Sequence, residues 1–146
     1  MDFMALEPLL VARLRAEVPD LKDVFTAREA DAALSRRELS PVAHVVYGGF
    51  QIAEVLHGGL AARLAQTWLI VISATSAKGQ RTGAGPREIA GPVMARVMEV
   101  LLGWKPSRDF GRLLLSASPQ ARHVDGFSYF PMTFSAQVIV HGADPE

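Results

Sequence analysis

The sharpest alternation of apolar and polar positions runs from Asp125 to Val140. Phe130, Met132, Phe134, Ala136, Val138 and Val140 share one parity, while Tyr129, Thr133, Ser135 and Gln137 share the other. A period of two over that length predicts a long β-strand with one face on a core and the other toward water. Asp125-Gly126 ahead of it is a turn signal, expected where an antiparallel neighbour arrives. Pro131, on the polar parity, has no N–H for the ladder. It therefore predicts an edge or a bulge at that point, and an edge is where a neighbouring subunit can dock.

Other segments follow different periods. Leu6, Leu9, Leu10, Leu14 and Val18 stand at helical spacing, with Pro8 in the first turn and Pro19-Asp20 as the stop. Leu21 to Thr26 reads as a short strand, and Ala27 to Leu39 as a short helix or an irregular connection. Pro41 opens a β-branched strand, Val42 to Tyr47, which Gly48-Gly49 ends; Gln51 to Leu56 continues as strand, and His57-Gly58-Gly59 reads as a turn. Ala61 to Ala77 is a second long strand, apolar on both parities near its centre. Lys78 to Pro86 has three glycines and no large aliphatic residue, and reads as a loop. Ile89, Val93, Val97 and Leu101 predict a helix that Gly103 stops. Pro92 would cost about 3 kcal/mol in a helix interior, which places it in the first turn. Leu113-Leu114-Leu115 starts a strand that pairs with the last one.

Short turns between successive strands favour antiparallel pairing, and two main helices suffice to cover one face of a sheet. The expected fold is α+β: a mainly antiparallel β-sheet with two main helices packed on one face, in a single domain over residues 1–146.

Composition changes this picture in one respect. Apolar residues make up 49% of the chain and charged residues 21%, which is rich for a lone domain of this size. Either the core is well filled, or part of the apolar surface is covered by copies of the chain or by a partner. Fifteen basic and fifteen acidic residues cancel, so no global field recruits nucleic acid or an anionic membrane. The absence of cysteine excludes disulfides, thiol nucleophiles and Cys-ligated zinc. The longest strictly apolar run, Trp68 to Ile72, is far short of the roughly 18–20 residues a membrane helix needs. Asp2 and Glu7 near the start do not read as a signal peptide, and the chain reads as cytoplasmic and soluble.

The search for chemistry is mostly negative. His44, His57, His123 and His141 are scattered and form no metal-binding spacing. Gly83-Ala84-Gly85-Pro86 precedes a helix, where free N–H groups attract anions. The residues needed for a Walker motif or a dinucleotide fingerprint are replaced by Arg87 and Glu88, however, and Pro86 removes a donor. No Gly-x-Ser-x-Gly elbow exists. The sequence thus offers no catalytic residue, no cofactor site and no metal ligand set. Lys78, Arg81 and Arg87 form a local positive patch on the loop, able to touch phosphate or an acidic protein surface, or else an ordinary solvated loop.

Four segments carry a resemblance: Ser40-Pro41-Val42-Ala43-His44-Val45, Trp68-Leu69-Ile70-Val71-Ile72, Leu102-Gly103-Trp104-Lys105-Pro106 and Asp125-Gly126-Phe127-Ser128-Tyr129-Phe130. In this order and at these separations the chain resembles the tail terminator and minor tail proteins of long-tailed bacteriophages. The resemblance implies a structural protein of the virion tail, assembled in the host bacterial cytoplasm from phage or prophage genes. Its copies form a homo-oligomer, commonly a hexameric ring. That ring caps the tail tube, ends tube polymerisation and presents a surface to a head-completion or connector protein. Its partners are other copies, the tail tube protein and the connector, with DNA only as passing cargo and no membrane. It implies no enzyme activity and no cofactor. The basic loop at Lys78, Arg81 and Arg87 becomes a candidate arm toward the lumen or the tube. Alternatives are another head-tail connector or tail-completion role, or a small α+β enzyme or ligand-binding module with His44, His123 or Asp125 in a pocket. A nucleic-acid-binding module using the basic loop is a further alternative, disfavoured by the neutral net charge.

Overall fold

Three strands of fifteen residues each form the spine of the fold in the computed structural model, which describes residues 1–26, 40–75, 84–124 and 126–143. The element order is α1 (Leu6–Glu17), β1 (Asp23–Thr26), β2 (Val42–Leu56), a 3-10 turn at His57–Gly59, β3 (Ala61–Thr75), α2 (Ala84–Leu101), β4 (Leu114–Ser116), β5 (Arg122–Val124) and β6 (Phe127–His141). The strands make one six-stranded sheet in the order β1-β2-β3-β6-β4, with β5 also on β6. Only β1 and β2 run parallel; the other described pairings are antiparallel. The fold is α+β, as the patterning predicts.

The alternation along β6 has a direct counterpart in burial. Phe130, Met132, Phe134, Ala136 and Val138 are buried with Leu64, Trp68, Ile70 and Ile72 of β3 and Ala43 and Val45 of β2. Against this face lie the helices. A twelve-residue helix is marginal in isolation, and α1 is held by burying Leu6, Leu10 and Leu14, each contributing roughly 1.5–3 kcal/mol. Along α2, Val93, Val97 and Leu101 are buried. The two helices are tied to each other. Arg13 donates to the Val100 carbonyl at 3.1 Å and lies 5.2 Å over the Trp104 ring, while Arg96 donates to the Glu17 carbonyl at 3.1 Å.

Several boundaries differ from the sequence expectation. Gly48-Gly49 does not end a strand: β2 continues through it with a bulge, two residues standing opposite Thr67 between the pairs Tyr47–Trp68 and Phe50–Gln66. Gly49 takes φ of +94°, open to glycine, and a Cβ at Gly48 would lie 2.8 Å from Leu69 Cδ1. Helix α2 starts at Ala84, so Gly85 and Pro86 belong to it, and Pro92 sits in its third turn rather than its first. Gly103 terminates that helix region with φ of +74°, as expected. The strand near Leu113 is the three-residue β4, with Leu113 itself buried, and β5 is an additional strand. The expectations for Ala27 to Leu39, and Asp125 in the predicted turn, lie outside the described residues.

Pro131 fits its predicted role locally. Although β6 is an interior strand, β5 pairs with residues up to Tyr129 and β4 from Thr133 onward. Pro131 stands in the gap, where no described strand needs its missing N–H. Next to it, the Thr133 N–H donates to Ser118 Oγ at 2.8 Å.

Candidate functional site

The side chains able to do chemistry do not converge. His44, on β2, stacks on Phe25 with ring centroids 5.7 Å apart and has Ser73 Oγ 3.5 Å from its Nε2. Burial there lowers its pKa from the ordinary 6.5. His123, on β5, bonds the Ser128 hydroxyl and meets Phe130 edge-on. Paired residues share a sheet face. His44 is level with Val71 and Pro131, whereas His123 opposes Ser128, of the same parity as Phe130. The two histidines therefore lie on opposite faces, with β3 and β6 between their strands. His57 sits in the turn after β2 and His141 at the end of β6. No group of three or more metal-ligating side chains occurs among the described residues.

One buried polar chain has a structural reading. Trp68 Nε1 donates to Gln66 Oε1 at 2.9 Å, and Gln66 Nε2 donates to the Phe3 carbonyl at 2.6 Å. A buried amide is tolerated when both its ends are bonded. This chain fixes the segment before α1 across β3.

Of the basic loop residues, Lys78 and Arg81 lie outside the described residues. Arg87 is described, exposed in the first turn of α2 and not in a loop.

The unusual surface lies instead at the two margins of the sheet. From Phe50 to Val55 every residue of β2 is exposed, including the large apolar side chains of Phe50, Ile52 and Val55 at 52%, 66% and 63%. Beyond Thr26 no described strand pairs with β2 on the side away from β3. A long exposed apolar edge is normally avoided by proteins that remain single. On the opposite margin β4 and β5 are exposed throughout, with Leu114, Leu115 and Val124 open to solvent. Beside the end of β6 is an open cleft of about 410 Å³, lined by Arg63, Lys105, Arg108, Phe110, Ile139 and His141 among others. Sequence reasoning missed these margins. The available signal was the apolar excess together with Phe50 and Ile52 in a strand flanked by glycine pairs.

Apolar margins of this kind mark contact surfaces. No curated protein matches the chain. Among solved structures it is similar to a chain in the virion of a native gene transfer agent particle. The TM-score is 0.62 at 18% identity, with 95% of this chain and 100% of that one covered, a likeness of fold. The family model described as phage tail terminator protein matches residues 1–145, so the chain belongs to the phage tail terminator family, a family of structural tail proteins.

Proposed function

We propose that this chain is the subunit of a homo-oligomeric ring, a hexamer, that seats on the end of a phage tail tube. The ring ends tube polymerisation with one face and offers the other to a head-completion or connector protein. DNA passes through its lumen as cargo. The chain acts as one domain over residues 1–146, in the virion tail, after assembly in the host cytoplasm.

The observation that carries this reading is the family match across residues 1–145. Apolar surface exposed at both sheet margins supports it, since copies in a ring need two non-equivalent contact surfaces. Deleting the gene from the particle that encodes the chain is expected to give overlong tails without heads. Tails of normal length joined to heads would remove the reading.

The basic residues Lys78, Arg81 and Arg87 are proposed to face the tube or the lumen. Replacing all three with alanine is expected to weaken tube attachment while leaving the fold intact. Unchanged tail assembly by that variant would withdraw this placement.

A further inference from the structure

The registers of the sheet fix which parts of its two margins stand at the same height. Ile52 pairs with Leu64, which pairs with Val138, which bridges to Phe110. Glu54 pairs with Arg63, which pairs with Ile139. The exposed stretch Phe50–Val55 on one margin is therefore level with the cleft at Phe110 and Ile139 on the other. Both surfaces combine apolar side chains with charge. Glu54 is the sole acidic residue of β2, and the cleft carries Lys105 and Arg108 with Arg63, against one acid, Asp109. Glu54 already pairs with Arg63 of its own chain yet stays half exposed, with oxygen capacity for a second cation.

We propose that in the ring the Phe50–Val55 margin of one copy seats in the cleft beside β6 of the next copy. Phe50, Ile52 and Val55 cover the exposed side chains of Ile139 and Leu114, and Glu54 faces Lys105 and Arg108. The contact joins two different surfaces of the same chain, so it is heterologous and closes by rotation instead of stopping at a dimer. Where that rotation returns to the first copy, the copies form a ring. The occupant is a second copy because the missing partner of each margin, an apolar edge carrying one acid or a cationic cleft with Ile139 exposed in it, is present on the other margin of this chain. This inference rests on the ring reading and adds the surfaces that make it.

The chain has no cysteine, so paired thiols can be introduced on a silent background. Ala53→Cys and Arg108→Cys, both at exposed positions, are made singly and together. Each variant is incubated with tail tubes, treated with a short bis-maleimide and resolved by denaturing electrophoresis, with assembly followed by light scattering and electron microscopy. The double variant is expected to give a ladder from dimer to closed ring, and each single variant only monomer. Rings that assemble without a ladder, or dimers from a single variant, would overturn this contact while leaving the ring reading intact. Absence of any assembly on tube ends, by wild type as well as variants, would overturn both.

Discussion

His44 illustrates how one partly buried side chain ties stability to pH. Its imidazole is desolvated between Phe25 and the Ser73 hydroxyl, and the charged form is disfavoured in the fold. As pH falls through the ordinary value of 6.5, the unfolded chain takes up a proton before the folded chain does. Stability therefore declines from there and levels off below the lowered folded pKa. Replacing His44→Gln should flatten this part of the profile, measured as thermal midpoints between neutral and mildly acidic pH. An unchanged slope in the variant would mean that other groups carry it. The positions of individual residues were only partly legible. Burial of Phe130, Phe134 and Val138 follows from parity alone. The bonded chain from Trp68 through Gln66 to Phe3 does not, because its partners lie far apart in sequence.

At the scale of elements, period and local chemistry locate the main helices and strands of the described residues but misjudge where three of them start or stop. Gly48-Gly49 looks like a stop because glycine weakens strands. The long pairing of β2 with β3 on either side carries the chain through as a bulge instead. Pro92 looks like a first-turn residue because a proline inside a helix is costly. The buried stripe Val93, Val97 and Leu101 outweighs that cost, and Pro92 stays exposed on the other side of α2. Pro92→Ala should therefore stabilise the protein by about 1–2 kcal/mol. It restores the missing N–H and relieves a clash worth roughly 3 kcal/mol, less the roughly 1 kcal/mol by which proline restricts the unfolded chain. Urea unfolding measures this, and a less stable variant would show that the proline fits a bend the fold requires. Strand β5 was not legible because three residues carry too little pattern to register.

For the whole molecule, the apolar excess in composition has a location. Part of it fills the core between sheet and helices, and part lies on the two margins, at Phe50, Ile52 and Val55 and at Leu114 and Leu115. Composition alone left a full core and a covered surface as equal readings, since it counts residues without placing them. The resemblance in the ordered motifs pointed to a tail terminator, and the family match over residues 1–145 bears that out. Capping is the central claim, and it is tested most directly by growing tail tubes from purified tube protein with and without this chain and measuring their lengths and ends by electron microscopy. The account predicts that tubes stop growing when the chain is added and carry a closed ring at one end. Tubes that continue to lengthen, with the chain unbound or scattered along their sides, would contradict it.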